Sequence, residues 1–225
     1  MTKEADEIRE YYDTFLASEP GKYSSLAEFN ARYEPVLSFF RETGEWELKI
    51  LDVGCGTGMT AVKLKEFGTV CGVDISPKSI KQARSRLDKA YACPAEELPF
   101  QDGVFDVVVC TETIEHTLSP VRALFEFHRV LKQGGHLILS TPNPRYWLIL
   151  LSKVYAKLSR RAGGTGQIVE HYLPHPELKR LLRMGGFGVV EFRTVFYKPF
   201  FVKWIPCCSG LYQIYIAKKL REGIR

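Results

Sequence analysis

The sequence predicts an α/β protein built on a parallel sheet with helices on both faces. Three observations carry this. Between residues 49 and 140, short apolar runs alternate with stretches of helical periodicity, the pattern of a doubly wound sheet. The strongest run, FDVVVC at 105–110, is almost continuously apolar, as in strands buried on both faces. The first run closes on a glycine-rich turn, LDVGCGTG at 51–58, that leads into a helix, where open α/β sheets bind their ligands.

The elements follow in order. In residues 1–48, Ile8, Tyr11, Tyr12, Phe15 and Leu16 recur at helical spacing, and so do Phe29, Tyr33, Val36, Leu37 and Phe40. Two helices result, separated at the Pro20-Gly21 turn. Residues 49–53 form a buried strand, 59–67 a helix that Gly68 ends, and 69–73 a second strand. Ser76 and Pro77 read as an N-cap and first helical position of a helix to about residue 87. Strand 105–110 comes next. Ser119-Pro120 then opens a helix that runs to Leu131 and stops before Gly134-Gly135, ahead of strand 136–140. Beyond Pro142-Asn143-Pro144 the alternation breaks. Residues 176–184 are helical, and 188–192 and 211–217 are two closing strands. The stretch between strand 136–140 and the Pro176 helix reads as an insertion at the ligand-binding edge.

The chain has 225 residues, with 45% hydrophobic and 25% charged residues, which excludes a disordered protein and fits one or two globular domains. The net charge of +5 and pI of 8.8 permit an anionic partner. They lack the dense basic stripe of a nucleic-acid binder, so none is expected. The N-terminus, MTKEADEIREYYD, is polar and acidic, so no signal or transit peptide is expected. The longest uncharged apolar run, residues 146–151, is far short of a membrane span. The six cysteines form no C-x-x-C pair, which points to reduced thiols in the cytoplasm and away from zinc.

In LDVGCGTG, glycines let the backbone turn sharply and approach a ligand, and the helix beyond offers unpaired N–H groups. The spacing is G-x-G-x-G. A dinucleotide fingerprint would need glycine at position 59, where Met59 stands, which disfavours a nicotinamide-dependent reductase. Asp74, twenty residues after Gly54 at the tip of the next strand, is placed to accept both hydroxyls of a ribose.

At these residues the chain resembles the class I S-adenosylmethionine-dependent methyltransferases. The motifs LDVGCGTG, GVDIS, AEELPFQDGVFDVVVC and RVLKQGGHLILSTPNP stand in the family's order and spacing, and HPELKRLLRMGGF at 175–187 resembles the quinone-biosynthesis branch. The resemblance implies a Rossmann-like, seven-stranded, mostly parallel sheet whose last strand, LYQIYIA, is antiparallel. It implies a helical cap over 1–48 and a methyltransferase domain over 49–225, with the insertion at about 145–174 after the fifth strand, in one structural domain overall. It implies S-adenosyl-L-methionine as cofactor. Asp52 would sit near the cofactor's amine. Gly54, Cys55, Gly56 and Gly58 would line the loop beneath it. Asp74 would hold the ribose, Ile75 would pack on the adenine, Ala95 and Glu96 would flank that ring, and Thr111 would face the methionine portion. Tyr11 and Tyr12 become candidate cleft residues. Where the family commonly has Gly-Asp, this chain has Cys93-Pro94, so adenine loses a carboxylate acceptor.

Glu112, Glu115 and His116 follow the central strand at the same edge. His116 has the pKa range of a general base; the alternative is a structural Glu115-His116 pair that orients the loop. The E-x-x-E-H spacing could also hold a divalent metal, although no metal is expected. His171 and His175 bracket the end of the insertion. Residues 145–161 carry five basic residues and no acid, with Trp147, Leu150, Leu151, Val154 and Leu158 on one helical face. That composition suits peripheral contact with an anionic membrane or a cover over the cleft. The aromatic stretch 196–204 supplies core or acceptor-pocket rings. The expected activity is methylation of a small lipophilic acceptor, with oxygen favoured. Alternatives are a peptide, protein or sugar acceptor, or a cofactor-binding scaffold without activity.

Overall fold

The computed structural model describes residues 3–18, 26–143, 171, 173–195 and 212–220. The chain begins with helices α1 (Lys3–Ser18) and α2 (Leu26–Thr43), followed by strand β1 (Leu48–Val53) and a 3₁₀ turn at Ala61–Glu66. Then come β2 (Gly68–Asp74), α3 (Pro77–Ala83), β3 (Lys89–Ala92) and β4 (Phe105–Thr111). A short 3₁₀ turn at Ile114–His116 precedes α4 (Pro120–Val130) and β5 (Leu131–Pro142). After the insertion come α5 (His175–Met184), β6 (Phe187–Val195) and β7 (Tyr212–Lys219).

The seven strands form one sheet in the order β3-β2-β1-β4-β5-β7-β6. All ladders are parallel except the two that β7 makes, antiparallel with β5 and with β6. Successive strand residues feed opposite faces. Leu51, Val53, Val108 and Cys110 pack with α4 and α5, while Ile50, Val107 and Val109 pack with α2 and α3. Tyr33, Val36, Leu37 and Phe40 of α2 are buried as their spacing predicts, and they share the second core with β1 and β2. Among the described residues no helix is long and apolar enough to cross a membrane.

Three local expectations are corrected. Residues 59–67 do not form an α-helix; they hold a 3₁₀ turn. The buried residues there are Ala61, Leu64 and Phe67, a period of three that matches 3₁₀ and not α geometry. The helix expected to about residue 87 ends at Ala83. The strand expected at 136–140 starts at Leu131, because Leu131 pairs with Phe105 before a register shift. Gly134 and Gly135 belong to this irregular ladder. Gly134 adopts a φ of 75°, and a Cβ at Gly135 would meet the Asp106 carbonyl at 2.9 Å. Strand β3 escapes the sequence pattern because only Ala90 of its four residues is buried. The side chains of Phe15, Leu16 and Phe29, the Pro20-Gly21 turn, the basic segment 145–161, the aromatic stretch 196–204 and Cys207-Cys208 lie outside the described residues.

Candidate functional site

The site lies where β1, β2 and β4 end. The chain leaves β1 through Gly54, whose N–H and that of Cys55 both donate to the Val73 carbonyl, at 2.8 and 3.0 Å. Gly54 has a φ of 76°, and a Cβ there would meet Thr113 Oγ1 at 2.0 Å. Glycine is therefore demanded twice, by conformation and by space. Gly56 is also left-handed, with a φ of 52°, yet a Cβ on it would meet nothing within 4 Å. Its α-carbon faces open space, as a surface that receives a ligand must. Gly58 instead packs toward Leu87 and Ala83.

Asp74 ties this loop to α3. Its Oδ2 accepts from Gly56 N–H and its Oδ1 from Ser76 N–H, both at 2.9 Å. A carboxylate has about four lone-pair sites, so capacity remains for two ribose hydroxyls. Burial pushes the Asp74 carboxyl up, the Ser76 and Gly56 N–H groups pull it back, and the charge of Asp13 adds to the rise. Ile75 follows, half-buried.

Asp52 is 2% exposed at the penultimate position of β1. Burial first, and the Asp74 charge second, push its carboxyl up to about 8. A buried acid in this state suits a cationic ligand, whose charge would restore the ionised form. Tyr33 of α2 comes close enough for Asp52 and Cys55 to act on its phenol. Burial, then those two charges, hold it well above its ordinary value. Cys55 is buried, and burial, then Asp52, raises its thiol strongly. Cys93 is pushed up to about 12, mainly by burial. Neither thiol offers a nucleophile at neutral pH.

The Cys93-Pro94 departure leaves the next loop built by backbone: Cys93 N–H donates to the Asp74 carbonyl at 3.0 Å and Glu97 N–H to the Pro94 carbonyl at 3.2 Å. Ala95 and Glu96 are each 9% exposed. Glu96 Oε1 accepts from Ser119 N–H at 3.0 Å, so this side chain also ties the loop to the start of α4.

Thr111 ends β4, half-buried, with its carbonyl accepting from Thr113 Oγ1 at 3.0 Å. Glu112 takes a φ of 52°, a costly conformation for a non-glycine residue, and one that clusters at functional sites. Ser140 helps to hold it: Ser140 Oγ donates to Glu112 Oε1 at 2.8 Å, and Glu112 N–H donates to the Ser140 carbonyl at 3.1 Å. The Glu115 side chain is buried, and its Oε1 lies 3.8 Å from His116 Nε2, whose ring is 16% exposed. His171 is pinned to the same turn. Its N–H donates to the Glu115 carbonyl at 2.7 Å, and its Nε2 bonds the Thr117 carbonyl at 2.9 Å. Glu112 turns to Ser140 while Glu115 faces His116, and among the described residues no three His, Cys, Asp or Glu gather as metal ligands.

His175 lies apart, stacked on Tyr215. Gln213 Nε2 donates to the carbonyls of Pro142, just before the insertion, and Leu173, at its end, so its Oε1 accepts from Tyr215 Oη. His175 Nδ1, 2.8 Å from that hydroxyl, is then its donor. Sequence reasoning misses Asp13. It sits on α1 beside the named Tyr11 and Tyr12, and its Oδ1 accepts from Ser76 Oγ, a contact across 63 positions that no local pattern encodes.

The family model described as a methyltransferase domain matches residues 51–139. The chain is 31% identical over 205 residues to the ubiquinone biosynthesis O-methyltransferase of Thiobacillus denitrificans, covering 81% of this chain and 88% of that protein. Among solved structures, it is similar to a Thermotoga maritima methyltransferase described as a possible histamine N-methyltransferase. That likeness has a TM-score of 0.68 and 26% identity, over 94% of this chain and 99% of the other. The magnesium protoporphyrin IX methyltransferase of Synechocystis, solved with bound SAH, shares the fold at a TM-score of 0.71 and 16% identity, over 95% and 99% of the two chains.

Proposed function

Because the chain belongs to the class I S-adenosylmethionine-dependent methyltransferases, in the branch of the ubiquinone-biosynthesis O-methyltransferases, we propose that it methylates a hydroxyl oxygen of a small, lipophilic, phenolic or quinone-like acceptor. The observation that carries the choice of oxygen is the Glu115–His116 pair, 3.8 Å apart, on the turn after β4. A carboxylate acceptor needs no base and an amine needs only to be neutral, whereas a phenol must lose its proton.

S-adenosylmethionine brings a methyl group already activated by its sulfonium. The chain's own residues bind, orient and exclude water. Asp52 would receive the amine of the methionine portion, Gly56 the backbone approach, and Asp74 the ribose hydroxyls. Gly54, Cys55 and Gly58 would shape the loop below, and Ile75, Ala95 and Glu96 would border the adenine. Thr111 would close the methionine end. His116 would take the acceptor's hydroxyl proton, and the buried Glu115 carboxylate would orient the imidazole and stabilise its charged form.

The test is turnover with prenylated catechols, read as a mass gain of one methyl group for one hydrogen. His116→Ala is expected to lower kcat by roughly 10²–10⁴-fold with S-adenosylhomocysteine affinity unchanged. Unchanged turnover would remove the base. A lipophilic acceptor also favours a cytoplasmic protein that works peripherally at a membrane, and the basic composition of 145–161 supports this. Cosedimentation with anionic vesicles, lost on replacing Lys153, Lys157 and Arg160 by glutamine, would bear it out.

A further inference from the structure

Helix α1 reaches two turns of the chain at once. Its Asp13 meets the start of α3, just after β2. Ser76 Oγ donates to Asp13 Oδ1, Lys78 N–H donates to the same oxygen at 3.3 Å, and Lys78 Nζ donates to the Asp13 carbonyl at 3.4 Å. One residue earlier, the Tyr12 ring stands edge-on to His116, just after β4, with centroids 6.3 Å apart. The strands β2 and β4 are the two neighbours of β1. The turns after these two strands therefore stand on either side of the glycine loop that follows β1.

Ser76 is the joint, and it is fully buried. Its N–H donates to Asp74 Oδ1 at 2.9 Å. Its Oγ accepts from Ser79 N–H at 3.1 Å, which leaves the hydroxyl proton for Asp13. One serine therefore carries two carboxylates, the ribose candidate through its backbone and the α1 carboxylate through its side chain. The two carboxylates also repel, since the Asp13 charge adds to the rise of Asp74.

We propose that Asp13 is a positioning residue that latches α1 over the bound cofactor, so that latch and cofactor hold each other in place through Ser76 and Asp74. The inference rests on the reading of Asp74 as the ribose carboxylate. Ribose hydroxyls donating to Asp74 would draw off part of its charge and ease its repulsion of Asp13. The docked helix in turn closes the way out of the loop. Coupling of this kind is reciprocal: whatever the cofactor adds to docking, docking adds to the cofactor's affinity.

The experiment uses the full chain, with S-adenosylhomocysteine as probe. It compares wild type, Asp13→Ala, Asp13→Asn and Asp74→Ala. Ligand dissociation rate is read by stopped flow, affinity by calorimetry, and docking by hydrogen exchange of residues 3–18. In the wild type the ligand is expected to slow exchange across 3–18. Asp13→Ala should abolish that slowing and speed ligand dissociation about tenfold. Asp13→Asn, which keeps an acceptor oxygen for Ser76, should restore part of both. A merely structural role would alter exchange equally with and without ligand. If Asp13→Ala releases ligand at the wild-type rate with protection intact while Asp74→Ala fails to bind, the latch is overturned and the site stands. If the wild type binds no ligand, the site reading falls and takes the latch with it.

Discussion

Asp52 is the residue whose protonation has the widest reach. Its carboxyl holds a proton up to about pH 8, whereas the same group in an unfolded chain ionises near about 4. An ammonium placed against it would drive the proton off. Binding of S-adenosylhomocysteine near pH 7 should therefore release a proton, and affinity should climb as pH rises toward 8. Calorimetry in buffers of different ionisation enthalpy measures the proton directly. The sign for stability is opposite. The unfolded chain loses this proton first, so the group's contribution to stability declines as pH rises from about 4 to about 8. Asp52→Asn does not titrate. It should gain Tm relative to wild type across that window, most at pH 8, while losing cofactor affinity. Asp74→Ala should weaken affinity at least tenfold and also loosen the glycine loop, since it removes the acceptor of Gly56 and Ser76 N–H.

At the scale of elements, the loop between β1 and the 3₁₀ turn separates two uses of glycine. Gly54→Ala meets both a left-handed backbone and the Thr113 side chain. It should destabilise the fold by roughly 2–4 kcal/mol, combining a conformational cost with overpacking. Gly56→Ala carries only the conformational cost, about 1–2 kcal/mol, because its Cβ enters open space. Its larger effect should fall on cofactor affinity. Chemical denaturation and ligand titration of the pair distinguish the two roles. The loop itself was legible in the sequence, because three closely spaced glycines between a strand and a helix-forming stretch mark a sharp turn open to a ligand. The 3₁₀ turn was also encoded, in the period of three at Ala61, Leu64 and Phe67, although the surrounding residues resembled an ordinary helix. The strained backbone of Glu112 was not legible, because Ser140 holds it from a strand 28 residues away. Nor was the reach of Glu96 to Ser119, since both residues look like ordinary loop and cap positions on their own.

At the scale of the molecule, the N-terminal helices are tied to distant parts of the chain. Besides the Asp13 contacts, Arg193 near the end of β6 donates to Ser38 Oγ at 2.9 Å and pairs with Glu42 at 3.3 Å, both on α2. The exposed ion pair contributes little by itself; the burial of Val36 and Phe40 against the sheet carries the docking. The alternation of strands and helices made the succession from β1 to β5 readable, apart from the exposed β3. Family resemblance gave only the antiparallel direction of the last strand; its place between β5 and β6 was not legible, because nothing local says which of two closing strands lies inside. Truncation before Tyr212 should yield aggregated protein, read as loss of the full-length protein's peak on size exclusion, since it leaves β5 and β6 without the strand between them.

The same strand order sets a timetable for synthesis. β7 leaves the ribosome after both of the strands that flank it, yet it fills the slot between β5 and β6. Until Lys219 has emerged, β5 and β6 both lack this partner, and each presents a row of unpaired backbone. A chaperone that shields strand edges would find its longest-lived target there, and a stalled ribosome would expose the sheet at its most adhesive.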